Sequence, residues 1–146
     1  MLKEIGMRRV IKYLVYGVWD LLFRFLLYSP LRILWMKIGG ANIAWSAVVD
    51  RVDFVNLDRS GLSGLRIGKK AFLGCGSLID LAGKVIIGDD ATISPRTVIL
   101  SHFSVGFADH PLVSKYPKNV GKTVISRGSF VGVNAVILAN VIVGEK

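Results

Sequence analysis

A β-branched aliphatic residue returns every six positions along the C-terminal part of the chain. Counting outward from SFVGVNAVILANVIVG, residues 129–144, gives Ile125, Val131, Ile137 and Val143. In an α-helix a step of six residues turns the chain by about 600°, so these side chains would be scattered around the axis. In a flat, half-buried strand, large apolar residues would recur at every second position, which they do not do here. A strand that bends every six residues explains the spacing.

The same six-residue grid runs through two earlier tracts, IGKKAFLGCGSLI and IGDDATISPRTVI. Their aliphatic positions are Ile67, Leu73, Ile79, Ile87, Ile93 and Ile99. A small or compact side chain stands four residues after most of them, as if it pointed into a confined corner. Three short bends per turn close a coil, and such coils stack their aliphatic side chains on one another. The sequence therefore predicts a parallel β-helix.

With hexads over about residues 43–55 and 67–144, the chain resembles the left-handed β-helix acyltransferases with hexapeptide repeats. The resemblance implies an all-β fold, a left-handed parallel β-helix in which hexapeptide coils form a triangular prism. It also implies a homotrimer with active sites between subunits. We expect residues 1–38 to form an N-terminal amphipathic α-helical segment that precedes this domain. Residues 39–146 are expected to form the β-helix domain, with a protruding loop at about residues 100–122.

The first 38 residues are rich in leucine, aromatic and basic residues, and residues 8–28 are predicted to be helical. One narrow polar stripe on this helix consists of Arg8, Lys12, Tyr16, Asp20 and Arg24. Its charges interrupt the apolar run well short of the roughly 20 residues that span a bilayer. We expect a helix that lies in a membrane interface, with contact through residues 1–36. The alternative is that the helix packs against the prism or against the other subunits of the trimer.

The net charge of +9 at pH 7 fits anionic lipid or a phosphate-bearing donor better than nucleic acid, since the sequence contains no recognised nucleic-acid motif. The only cysteine, Cys75, can form no internal disulfide and indicates a reducing compartment. We expect the protein to be cytoplasmic, at the inner face of the membrane as a peripheral protein.

Both histidines lie where the grid breaks, in the loop LSHFSVGFADHPLVSKYPKNVGKTV between Ile99 and Ile125. Acyl transfer to a hydroxyl needs a base at neutral pH, and histidine is the side chain that suits this. His102 follows the last aliphatic residue by three positions, as in one subgroup of the resembled family. His110 stands in a His-Pro pair, as in the galactoside and maltose acetyltransferases. His102 is preferred as the catalytic base, with His110 as the competing candidate.

A partner for each histidine is suggested by its sequence neighbours. Ser101 or Ser104 is placed to bond a ring nitrogen of His102, and Asp109 is placed to orient His110. Either histidine could instead be a loop residue that is hydrogen-bonded for structural reasons.

The resemblance implies acetyl-CoA as the acyl donor, used as a co-substrate, with no metal. The donor would lie along a groove between coils of neighbouring subunits, and Gly132, Asn134 and Ala135 in VGVNA are the positions carried over for coenzyme A. The activity implied is that of an O-acetyltransferase acting on a sugar hydroxyl of a cell-surface glycan or a lipid-linked saccharide.

Two other functions compete with acyl transfer. A carbonic-anhydrase-like protein of the same fold would need three histidines around zinc, and the chain contains two. A non-catalytic, membrane-associated β-helix scaffold would fit the glycines of LGCGS, where galactoside-type relatives carry an asparagine for the acceptor.

Overall fold

The computed structural model describes residues 7–146, apart from the side chains of Arg8 and Arg9. The predictions for residues 1–6, and for Arg8 as part of the polar stripe, lie outside the described residues. The helices are α1 (Met7–Arg24), α2 (Ser29–Ile38) and α3 (Leu57–Ser60), and α3 is followed by a 3-10 turn over Leu62–Gly64. The strands are β1 (Asn42–Ile43), β2 (Val48–Val49), β3 (Asp53–Val55), β4 (Leu65–Ile67), β5 (Phe72–Leu73), β6 (Leu78–Asp80), β7 (Lys84–Ile87), β8 (Thr92–Ile93), β9 (Val98–Ile99), β10 (His102–Phe103), β11 (Asn119–Val120), β12 (Lys122–Ile125), β13 (Phe130–Val131), β14 (Val136–Ile137) and β15 (Ile142–Val143).

The strands form three parallel sheets and one antiparallel pair. The first sheet has the order β1-β4-β7-β12-β15, the second β2-β5-β8-β13, and the third β3-β6-β9-β14. Consecutive strands of the chain enter the first, second and third sheet in turn, and only the pair β10-β11 interrupts this rotation. The described chain is thus mostly parallel β-sheet with a few helices.

The aliphatic grid forms the core between these sheets. In the strand registers Ile67 pairs with Ile87, Leu73 with Ile93 and Ile79 with Ile99, so that equivalent grid positions stack on one another. The grid residues with at most 5% exposure are Ile67, Leu73, Ile79, Ile87, Ile93, Ile99, Ile125 and Val131. The compact positions Ala71, Ser77, Ala91 and Thr97 are fully buried. The sequence prediction of these inward positions is confirmed.

Ile137 is an exception to the predicted core, because it is only partly buried. It lies in β14, which is the edge strand of the third sheet and pairs only with β9. Its side chain therefore packs on Ile99 on one side and has no strand of the described chain on the other.

The N-terminal helices cover the first strands. The predicted helix over residues 8–28 is too long, since α1 ends at Arg24 and α2 begins at Ser29 with Pro30 in its first turn. Proline lacks an N–H and suits this first-turn position. Buried Arg32 donates hydrogen bonds from its guanidinium to the carbonyls of Leu26, Leu27 and Val49, and thereby ties the turn between the helices to β2.

None of the helices in the described part of the chain is both long enough and apolar enough to cross a membrane.

Candidate active site

The candidate site lies where two neighbouring coils leave the third sheet. Ile79 in β6 pairs with Ile99 in β9, so the residues that follow each of them emerge side by side. Asp80 ends β6, and Leu100-Ser101 leads from β9 into β10, which starts at His102. The parallel register therefore brings Asp80 close to His102, although the two residues are 22 positions apart in the sequence.

Asp80 is a fully buried carboxylate with a complete set of partners. Its Oδ1 accepts hydrogen bonds from the side-chain amide of Asn56 at 2.7 Å and from the N–H of Ala82 at 3.1 Å. Its Oδ2 accepts from the N–H of Ser101 at 2.9 Å and lies 2.6 Å from Nδ1 of His102. A buried charge is tolerated when it is paired and hydrogen-bonded in this way.

The ionised form of Asp80 is favoured by these contacts. Burial by itself would raise the pKa of Asp80, but the hydrogen bonds from His102, Ser101, Asn56 and Ala82 outweigh it, and the net shift of the pKa is downward. Asp80 is therefore a carboxylate at neutral pH.

This carboxylate determines the tautomer of His102. An ionised carboxylate can only accept hydrogen bonds, so Nδ1 of His102 must donate its proton to Oδ2 of Asp80. In the neutral imidazole the lone pair is then on Nε2, the nitrogen that can take up a proton. The side chain of His102 remains 22% exposed, so a ligand can reach it.

Ser101 and Gly83 fix the backbone on either side of this pair. The hydroxyl of Ser101 donates to the main-chain carbonyl of Asp80 at 2.6 Å and accepts from the N–H of Gly83 at 2.8 Å. A Cβ at Gly83 would collide with the carbonyl oxygen of Gly121 in the next coil. Glycine at position 83 thus allows the two coils to approach closely beside His102.

His102 lines a cleft of about 470 Å³ between the loop and the last coil. The lining residues are Leu100, His102, Phe103, Lys115, Tyr116, Pro117, Lys118, Asn119, Leu138, Ala139 and Asn140. Phe103 and Tyr116 meet edge to face with ring centroids 6.2 Å apart, and Nζ of Lys115 lies 5.6 Å from the Tyr116 ring. The described lining therefore offers two lysines, two asparagines and an aromatic pair, and it contains no carboxylate.

The antiparallel pair β10-β11 anchors the loop that forms one wall of this cleft. His102 pairs with Val120 and Phe103 with Asn119, and residues 104–118 connect the two strands through a series of turns. His102 is therefore held at the base of the loop, by strand pairing as well as by Asp80.

His110 lies in the turns of the loop. Its Nδ1 accepts a hydrogen bond from the N–H of Leu112 at 3.1 Å. Among the described residues, His102 lines the cleft and His110 does not. Among the described residues Asp109 makes no hydrogen bond with His110, whose Nδ1 bonds the backbone of its own turn instead.

The positions carried over for coenzyme A lie at a different bend of the coil. Gly132, Asn134 and Ala135 connect β13 in the second sheet to β14 in the third. Asn134 has φ of 60°, a left-handed conformation that asparagine tolerates well. A Cβ at Gly132 would meet no atom of the described chain within 4 Å, so the space in front of it is open. Within one chain these residues and His102 are not brought together.

Sequence reasoning missed Asp80 as the partner of His102, and Asn56 as a hydrogen-bond donor to Asp80. It proposed Ser101 or Ser104, but Ser101 supports Asp80, and Ser104 accepts from the N–H of Gly106. A usable signal was present, because DLAGKV inserts two residues into the grid one coil before the loop. The insertion follows Ile79 and the loop follows Ile99, and these two residues pair in the sheet. Asp80, the first residue of DLAGKV, is therefore a neighbour of the residues that begin the loop.

Comparisons of this chain with models of known protein families, with curated proteins and with solved structures found no match.

Proposed function

We propose that the protein is an acetyl-CoA-dependent O-acetyltransferase that uses His102 as a general base and acts on a sugar hydroxyl. The observation that carries the proposal is the 2.6 Å contact between Nδ1 of His102 and the buried carboxylate of Asp80, beside an open cleft. An imidazole held in one tautomer by an ionised carboxylate is a suitable base for activating a hydroxyl group.

The fold that we propose is a left-handed parallel β-helix of the hexapeptide-repeat type. Its support is the regular rotation of the chain through three parallel sheets, together with the six-residue grid inside them. The resemblance to hexapeptide-repeat acyltransferases supplies the left-handed winding and the homotrimer. In such a trimer the open bend at Gly132, Asn134 and Ala135 of one subunit would face the cleft of another and receive the donor.

Acyl transfer in this site proceeds in two steps, attack on the thioester and loss of the thiolate. Nε2 of His102 removes the proton of the acceptor hydroxyl while its oxygen attacks the thioester carbonyl carbon of acetyl-CoA. Backbone N–H groups stabilise the resulting oxyanion. The carbon–sulfur bond then breaks, the new ester remains on the acceptor, and the imidazolium returns its proton to the departing thiolate.

Asp80 has two roles in these steps. It keeps the proton of neutral His102 on Nδ1, so that Nε2 is the basic atom. Its negative charge also stabilises the imidazolium that forms when the acceptor loses its proton. Asp80 acts through His102 and is a positioning residue.

The lining of the cleft supports a sugar acceptor and a phosphate-bearing donor. Asn119, Asn140 and Tyr116 offer amides, a phenol hydroxyl and an aromatic ring, which are groups that hold sugar hydroxyls and ring faces. Lys115 and Lys118 add positive charge, which suits the phosphates of coenzyme A. The acceptor that we propose is a cell-surface glycan or a lipid-linked saccharide at the inner face of the membrane.

A release assay for the free thiol of coenzyme A tests the proposal. The purified protein is mixed with acetyl-CoA and a panel of glycosides, and the acetylated product is identified by mass spectrometry. We expect thiol release that depends on a glycoside and yields one acetyl ester per thiol. Thiol release without an ester would indicate hydrolysis, and no release with any glycoside would favour the scaffold function.

A further inference from the structure

One side of α1 is apolar and faces away from the rest of the protein. Its side chains have exposed fractions between 54% and 75% and belong to Met7, Ile11, Leu14, Val18, Leu21 and Phe25. Residues three and four positions apart lie on the same side of a helix, so they form one continuous stripe, which Phe25 extends just past the helix end.

The opposite side of α1 is directed at the β-sheet domain, and it carries charge. Arg24 contacts Asp20 at 3.0 Å and Asp53 of β3 at 3.0 Å. Trp19 and Phe23 pack against Phe54 with ring centroids 6.1 and 5.6 Å apart. A surface helix of a globular protein normally turns its apolar stripe to the core and its charges to water. Here Arg24 and two aromatic rings of α1 contact β3, and a second, wide apolar stripe remains uncovered.

Helix α2 also leaves an apolar side uncovered. Leu31, Leu34 and Ile38 are exposed on its outer side, whereas its inner side is buried on β1 and β2. Trp45, in the turn between β1 and β2, is also exposed, and Nζ of Lys37 lies 5.0 Å from the centre of its ring. Exposed apolar surfaces of this extent mark interaction sites. Aromatic rings beside basic side chains are common at membrane interfaces.

The positive charge of residues 7–38 favours an anionic bilayer as the binding partner of the exposed apolar side chains. Residues 7–38 contain six lysines and arginines and one acidic residue, and the whole chain has a net charge of +9. Two copies that joined these helices face to face would bring like charges together, whereas anionic head groups would neutralise them. We infer that the apolar helix face, formed by the stripe on α1 and by Leu31, Leu34 and Ile38 of α2, docks into the interface of an anionic bilayer. This inference does not rest on acyl transfer.

Flotation of the full chain with lipid vesicles tests the docking. One set of vesicles contains phosphatidylcholine alone, and the other contains phosphatidylcholine with phosphatidylglycerol. Phe25→Glu places a charge on the apolar helix face, and Phe107→Glu makes the same change at an equally exposed phenylalanine in the loop. Leu14→Glu and Val18→Glu extend the test along α1. Circular dichroism and thermal unfolding verify that each variant is folded.

We expect the wild type to float with the anionic vesicles and to bind the neutral ones at least about tenfold more weakly. Phe25→Glu should reduce binding by about tenfold or more, because a charge in the interface is costly, whereas Phe107→Glu should not. Raising the salt from about 0.1 to about 1 M should weaken binding. Failure of the wild type to float, equal binding of both vesicles, or equal effects of the two phenylalanine substitutions would overturn the inference. If the wild type does not float, its oligomeric state is compared with that of Val18→Glu in the absence of vesicles. A difference between the two would assign the apolar helix face to contacts between copies of the chain.

His102→Ala separates this inference from the proposed function. The variant should float as the wild type does, because His102 pairs with Asp80 and Val120 and not with residues of α1 or α2. Loss of thiol release with normal flotation affects only the catalytic assignment, and loss of flotation with normal thiol release affects only the docking.

Discussion

The buried carboxylate of Asp80 lies 2.6 Å from Nδ1 of His102, and His102 lines a cleft. The two residues come from neighbouring coils whose strands β6 and β9 are in parallel register. The stacking of the coils thus both forms the core and assembles the pair.

Replacing Asp80 with asparagine should lower kcat by about 10² to 10⁴, the range for losing general base catalysis, with KM for acetyl-CoA nearly unchanged. The amide has the same size but cannot stabilise an imidazolium by charge or fix the proton on Nδ1. Steady-state kinetics of thiol release measures both constants. A rise in KM at constant kcat would instead place Asp80 in donor binding.

The stability of the fold should depend on Asp80 in acid. Its pKa is lowered in the folded protein, so its contribution is present above the unfolded pKa of about 3.9 and is lost as the pH falls through the lower folded pKa. Urea unfolding of the wild type and of Asp80→Asn should show the larger difference at about pH 7 and a smaller one at about pH 3. A difference that is constant over this range would contradict the downward shift.

Asn56 should affect the turnover indirectly, through its hydrogen bond to Asp80. Its amide donates to Oδ1 of Asp80 at 2.7 Å, and its backbone has φ of 59°, which most side chains avoid. Asn56→Gly removes the amide without straining this conformation, so the effect reports the hydrogen bond. We expect kcat to fall by about tenfold, in the range known for supporting hydrogen bonds in other sites, with KM unchanged. Asn56→Asp should lose more, because it places a second carboxylate beside the first. An unchanged kcat in Asn56→Gly would remove Asn56 from the site.

Ile93→Asp should prevent folding. Ile93 is fully buried between Leu73 and Val131 in the second sheet, and an unpaired carboxylate there costs several kcal/mol or more, roughly the stability of a domain. Thr92→Asp, on the partly exposed side of the same strand, is the matched control and should fold. Circular dichroism and urea unfolding make the comparison. Equal stability of the two variants would mean that the grid residues do not form the core.

The inward residues could be predicted from sequence because burial follows the six-residue period from Ile67 to Val131. Ile137 shares the period but lies in an edge strand, and a repeat pattern does not indicate where its neighbours stop. The polar stripe of α1 was also visible in the sequence. Its orientation toward Asp53 was not, because it depends on a contact between distant segments.

The candidate base could be predicted from its spacing alone, whereas predicting its partner requires the register between neighbouring coils as well. His102 follows Ile99 closely enough to be held by the coil, which the spacing indicates. Asp80 is one coil away, and only the register of β6 against β9 makes it a neighbour. Local sequence indicates neighbours such as Ser104 as partners, because it does not specify which residues of two coils pair with each other.

The turnover of His102→Ala beside that of His110→Ala tests the catalytic assignment most directly. At saturating acetyl-CoA and with an accepted glycoside, His102→Ala should lower kcat by about 10² to 10⁴ with little change in KM for the donor, because the base is lost. His110→Ala should have a much smaller effect, since that ring bonds the backbone of the loop and lies outside the lining of the cleft formed by the described residues. A large loss in His110→Ala alone, or equal large losses in both variants, would contradict the assignment of His102 as the general base.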